Sequence, residues 1–167
     1  MATHTLIRPV RRDEALAVAR VHVQADRETY APIFAGQFRE VALEESLARW
    51  ETALTAGHSF LVATDKGAII GFAHAGDAWM SALYLIASHR RRGVGARLLT
   101  ALCEDARGSG VDEIGFTCVA ANGPALAFYE AMGACQLGRT MIGDGDSMWE
   151  EIVLALSTDP AAGFRRG

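Results

Sequence analysis

Cysteine is scarce and unpatterned in this chain: Cys103, Cys118 and Cys135 are an odd number, with no Cys-x-x-Cys pair and no histidine at zinc spacing. That excludes a disulfide framework and a structural zinc site, and the three read as reduced core thiols. No stretch reaches the roughly 18 uninterrupted apolar residues that a membrane helix needs. Positive charge is not in excess either, with 16 Lys and Arg against 20 Asp and Glu and a net charge of −4. A generic nucleic-acid binder, whose usual footprint is a basic domain, is therefore not expected. The opening MATHTLIRPVRR reaches arginine before any apolar leader core forms, so a cytoplasmic location is expected. Internal repeats and low-complexity blocks are absent.

What remains is 167 residues, half of them hydrophobic and 17 of them glycine, enough for one domain with a real core and tight turns. Residues 1–156 are expected to form that domain, and 157–167, with Pro160, glycines and arginines, a flexible tail. Thr5 to Arg8 reads as a strand, and a helix opens at Asp13 and runs to about Ala25, followed by an irregular segment to Phe38. Leu43, Leu47, Trp50 and Leu54 recur at helical spacing, closed by Gly57. Ser59 to Thr64 and Ala68 to Ala75 are strands joined by Asp65-Lys66-Gly67, and a further strand runs from Met80 to Ile86. A helix marked by Val94, Leu98, Leu102 and Ala106, a strand from Glu113 to Val119 and a short helix from Asn122 to Met132 follow. The strands Cys135 to Ile142 and Met148 to Leu156 close the chain. This order predicts an α/β fold of the α+β type: a mixed, mostly antiparallel sheet of about seven strands with helices on both faces.

The stretch richest in chemistry is Arg90-Arg91-Arg92-Gly93-Val94-Gly95-Ala96, between a strand and an amphipathic helix. Glycines there admit a ligand close to the backbone, and a helix start offers unpaired N–H groups and a positive dipole end, so the segment suits an anion. A dinucleotide fingerprint would need glycine where Leu98 stands, and the Gly-Lys-Ser/Thr of a P-loop is missing. A solvated basic turn is the plain alternative.

Arg90-x-x-Gly93-x-Gly95 at a helix start and the downstream stretch from Asn122 to Gly133 together resemble the GNAT superfamily of acyl-CoA-dependent N-acetyltransferases. Arg90, Gly93 and Gly95 match its Gln/Arg-x-x-Gly-x-Gly/Ala motif at a helix start. Asn122-Gly123-Pro124-Ala125-Leu126-Ala127-Phe128-Tyr129-Glu130-Ala131-Met132-Gly133 is similar to its Asn-x-x-Ala-x-x-Phe-Tyr-x-x-x-Gly, and the element order fits from Thr5 to Leu156. The resemblance implies acetyl-CoA as co-substrate, no metal, and a primary amine of a small molecule or peptide as acceptor. It implies that the amides of Arg91, Arg92, Gly93, Val94, Gly95 and Ala96 hold the pyrophosphate, with the arginines near the ribose phosphate. The fourth and fifth strands would splay around the pantetheine arm, which Asn122 would contact. An amide near Leu85 would hold the thioester oxygen, and Tyr129 would return a proton to sulfur. Asn122 is equally a good helix N-cap, and Tyr129 equally a core aromatic.

Attack by an amine needs a base, because an amine of pKa about 10 is protonated at neutral pH. Many relatives carry a strand glutamate, but Trp79 stands at the expected place here. Asp77, Asp26, Glu28, His22 and His74 are the other candidates. Cys118 is the one alternative nucleophile, with no evident base partner. Acceptor choice is expected from Asp26 to Phe34, Trp79 and the loop Gly143-Asp144-Gly145-Asp146-Ser147, whose two aspartates suit a tight turn or an ammonium ligand. A non-catalytic acyl-CoA sensor of the same fold is the alternative function. Ile152, Val153 and Leu154 offer a seam for a homodimer.

Overall fold

The computed structural model describes residues 5–145 and 147–161. Strands β1 (Leu6–Pro9), β2 (Ser59–Asp65), β3 (Ala68–Gly76), β4 (Trp79–Leu85), β5 (Glu113–Val119), β6 (Cys135–Asp144) and β7 (Ser147–Ser157) alternate with helices α1 (Ala15–Phe34), α2 (Leu43–Thr55), α3 (Val94–Gly108) and α4 (Gly123–Ala131). The strands form one seven-stranded sheet in the order β1-β2-β3-β4-β5-β7-β6. The pairs β1–β2, β2–β3, β5–β7 and β6–β7 are antiparallel, whereas β4 joins β5 in parallel at Trp79 and Gly115. The mixed α/β fold expected from the element order is the one observed. The described residues fall into two compact units, one of residues up to 77 with 81–102, the other of 78–80 with the residues from 103 on.

In the first unit, Val18, Ala19 and Val21 of α1 pack with Trp50 of α2 and with Phe60, Val62, Phe72 and Ala82 of the sheet. Trp50 is 1% exposed, its ring meets Phe72 edge-on at 4.8 Å, and its indole N–H donates to His22 Nδ1 at 3.1 Å. Burying a large aromatic while pairing its one polar atom is the arrangement that keeps such a side chain inside at no desolvation penalty. The start of α1 is fixed by Glu14, which accepts from both terminal nitrogens of Arg8 (2.8 and 2.6 Å) and from the Arg11 amide. Arg8 holds that carboxyl well down, to about 2. The β2–β3 hairpin turns at Lys66 (φ 50°) and Gly67 (φ 83°), the mirror-image turn that matches strand twist.

In the second unit, β5 pairs with β7 from Glu113↔Ser157 to Val119↔Glu151, and Gly115 leaves the space that the Trp79 ring occupies. An added Cβ at Gly115 would stand 2.9 Å from that ring.

Three readings change. The helix begun at residue 15 continues to Phe34 and absorbs most of the segment expected to be irregular. Pro32 sits in its last turn, where the lost N–H costs one hydrogen bond near an end that Ala35 and Gly36 terminate anyway. Strand β7 lies between β5 and β6, with Ile152 and Leu154 buried, so the seam expected at 152–154 is interior; the sheet edge is β6. Of the expected tail, Ser157 ends β7 and buried Thr158 donates its hydroxyl to the Val111 carbonyl at 2.7 Å, while 162–167 lie outside the described residues.

Burial pushes His22 and His74 down to about 4 and Asp26 up to about 6. An unfolded histidine takes its proton near pH 6.5, so acidification from there toward pH 4 favours the unfolded chain through both rings. Asp26 works in the opposite direction between about pH 6 and 4, because its folded form protonates first. Two groups outweigh one, and the expected loss from pH 7.5 to 5 is about 2–3 kcal/mol. Melting curves should therefore fall by roughly 5–10 °C over that interval; an unchanged Tm would show that the rings are not held neutral.

Candidate active site

Strand β4 ends at Leu85, and a short turn leads through Ala87–His89 to Arg90 and the start of α3. Helix α3 is anchored inward by Val94, Leu98, Leu99 and Leu102, all buried, which leaves its first turn presented at the surface with Arg91, Arg92 and Gly93 exposed. The first intrahelical bond is the Arg97 N–H to the Gly93 carbonyl at 3.1 Å. The N–H groups of Gly93, Val94, Gly95 and Ala96 therefore precede the helical ladder and are available to a ligand. Arg91 has φ 62° and Gly93 φ 76°, so two left-handed residues flank Arg92. Glycine adopts that conformation freely; arginine does so at a cost of about 1 kcal/mol or more. Alternating backbone of this kind turns successive N–H groups toward one point, a concavity suited to an anion.

Arg90 has a different task from its neighbours. Its Nε donates to the Leu85 carbonyl at 2.8 Å, and Nη2 donates to Thr29 Oγ1 at 3.0 Å and to the Ala25 carbonyl at 3.4 Å, with Glu28 Oε2 at 3.6 Å. Glu28 Oε2 also accepts the Ala87 N–H at 2.6 Å. These bonds latch the middle of α1 to the end of β4. A guanidinium so engaged positions the turn, whereas Arg91 and Arg92 are exposed. The pattern Ala25, Glu28, Thr29 at helical spacing signals this latch only once α1 is known to run past residue 25.

In the second unit, Asn122 caps α4, its Oδ1 accepting the Ala125 N–H at 3.3 Å. Tyr129 is 9% exposed, its ring 4.6 Å from that of Phe116 and 5.2 Å from that of Phe128. Cys118 is buried and its thiol is pushed up to about 11, chiefly by burial, so it is no thiolate at neutral pH. Trp79 stands 44% exposed at the start of β4. Asp144 ends β6, and Asp146 lies outside the described residues.

Of the base candidates, His22 accepts the Trp50 N–H, and Ser46 Oγ lies 2.8 Å from the same Nδ1, so the ring is a core acceptor. His74 pairs with Ser81 Oγ at 2.7 Å and buries Nε2 with no partner. Glu28 is taken up by the latch. Asp77 turns the chain between β3 and β4 at φ 51°. Asp26 is buried on α1, with the Tyr84 hydroxyl 3.5 Å from Oδ1. Among the described residues no cluster of three or more His, Cys, Asp or Glu is arranged to hold a metal, and no helix is long and apolar enough to cross a membrane.

A seven-stranded mixed sheet with a left-handed turn leading from β4 into the free amides of α3 is a fold of the GNAT type, and comparison with known proteins agrees. Residues 24–134 match the model of the acetyltransferase (GNAT) family, two thirds of the chain, and the protein belongs to that family. No curated protein matches the sequence significantly. Among solved structures, an N-acetyltransferase from Staphylococcus aureus Mu50 superposes with a TM-score of 0.75 at 19% identity, over 94% of this chain and 100% of that one. The yncA protein of Salmonella typhimurium, solved with its cofactor acetyl-CoA, gives 0.75 at 20% identity over 94% and 95%. A ribosomal-protein-alanine N-acetyltransferase from Brucella melitensis gives 0.74 at 23% identity over 91% and 99%.

Proposed function

We propose that the protein is an N-acetyltransferase that moves an acetyl group from acetyl-CoA to a primary amine of a small molecule or peptide, by direct attack in a ternary complex. The observation that carries this reading is the pair of left-handed residues, Arg91 and Gly93, leading into the unladdered amides of α3. A backbone strained in this way and lined with N–H groups fits a pyrophosphate, which needs donors and close approach rather than side-chain selectivity. Arg91 and Arg92, exposed on the same turn, supply charge for a further phosphate.

When bound, acetyl-CoA supplies an activated thioester. The chain's part is to hold and move protons around it. The amide near Leu85 would stabilise the negative charge developing on the carbonyl oxygen, and Tyr129 would give a proton to the departing sulfur. The raised Cys118 thiol supports direct attack over an acyl-cysteine route. A non-catalytic acyl-CoA sensor is the second reading, favoured by Trp79 at the strand position where a glutamate would serve as base. Release of free thiol, followed against a panel of amino acids, polyamines, aminoglycosides and peptide N-termini, tests the choice. Amine-dependent release is expected for at least one class, and cofactor binding without release would favour the sensor.

A further inference from the structure

The latch between α1 and β4 fixes more than the cofactor turn. One guanidinium spans from the Ala25 carbonyl to the Leu85 carbonyl, so the helical turn that carries Asp26 is held against the end of β4, where the proposed oxyanion amide lies. Asp26 is 9% exposed, yet the structure gives its carboxyl little reason to be there. Its hydrogen bond from Tyr84 is at the outer limit, 3.5 Å, and Arg49 of α2 acts on it through space rather than in an ion pair among the described residues. A charge buried with so little compensation costs stability, and groups kept at such a cost are candidates for chemistry.

Building on the transferase reading, we propose that Asp26 is the general base, taking the proton from the acceptor ammonium, so that a carboxylate on α1 does the work for which β4 has no acid. The amine nitrogen then forms its bond to the acetyl carbon, the carbon–sulfur bond breaks, sulfur leaves as the thiol with a proton from Tyr129, and the second proton lost by nitrogen replaces it on the tyrosine oxygen. The ammonium proton passes through Asp26 to solvent. Net, the ammonium and acetyl-CoA give the amide, free coenzyme A and one proton.

The groups facing Asp26 agree with this task. Tyr84 of β4 and Arg49 of α2 favour the ionised form, and Glu40, in the connection between the two helices, opposes it. His22, one turn earlier on α1, is neutral, and Glu28, two residues on, is bound to Arg90 and the Ala87 amide. Burial dominates and sets the carboxyl near 6. At neutral pH it is ionised, as a base must be, and of higher basicity than a solvated aspartate.

Asp26→Asn should lower kcat/KM by about 10²–10³-fold against the best acceptor. It should also abolish the acid limb of the kcat/KM profile near pH 6, with acetyl-CoA affinity unchanged. Because the carboxylate is destabilising at neutral pH, the variant should melt at or above the wild-type Tm, whereas a merely structural aspartate would lower it. Asp26→Glu should restore part of the rate. Wild-type transfer with Asp26→Asn within threefold of it, or an acid limb that survives the substitution, overturns Asp26 and leaves the transferase reading standing. Acetyl-CoA binding with no transfer by the wild type to any amine overturns both.

Discussion

Tyr129→Phe should lower kcat by about 10²–10⁴-fold, the usual worth of a positioned proton donor. The substitution removes one oxygen and keeps the ring that packs against Phe116 and Phe128, and the backbone bond from the Ala134 N–H to the Tyr129 carbonyl, 2.9 Å, is untouched. Fold and cofactor affinity should therefore be preserved, since in the proposed role the hydroxyl acts on charge that develops only as sulfur departs. Were the tyrosine only a core aromatic, the pattern would reverse: a stability cost of about 1 kcal/mol and nearly normal turnover. Steady-state kinetics well below the melting transition, with acetyl-CoA Kd measured beside them, separate the two, and turnover within threefold of wild type would assign the proton to another donor.

Gly95→Val should weaken acetyl-CoA binding by roughly 10²-fold, about 3 kcal/mol. Gly95 is the second residue of α3 and helical, so valine adds bulk without backbone strain and, by helix propensity, at no cost to the helix. In the proposed reading the added side chain crowds the pyrophosphate. Gly93 is a poorer probe, because φ 76° strains any side chain there although the space around it is open. Calorimetric titration of both proteins checks the expectation, with an unchanged Tm for apo Gly95→Val; equal affinity would move the cradle away from α3.

Much of this architecture was legible because its signals are local. The helical recurrence of Leu43, Leu47, Trp50 and Leu54, the Asp65-Lys66-Gly67 turn and Gly93 ahead of α3 each dictate their own backbone. The end of α1 was not legible in the same way. Asp26, Thr29 and Pro32 look like a loop, and what keeps them helical is the contact of Thr29 with Arg90, 61 residues away, together with the Tyr30 and Phe34 rings 5.9 Å apart. The same long-range bonds hid the division of labour among three adjacent arginines: Arg90 turns inward to Leu85 and α1 while Arg91 and Arg92 face outward. Asp26 could be picked out as a candidate from residue type alone, but its burial against Tyr84 emerges only from the pairing of α1 with β4. The place of β7 inside the sheet likewise depends on strand order, which an apolar run such as Ile152–Leu154 does not encode.

The central claim, that this chain transfers acetyl groups to amines, is tested most directly by mass spectrometry of the acceptor alongside thiol release, with purified protein and acetyl-CoA. The account predicts one acetyl group on the amine nitrogen for each thiol freed, with neither formed when the amine is left out. Saturable acetyl-CoA binding with no acetylated product from any amine would contradict it.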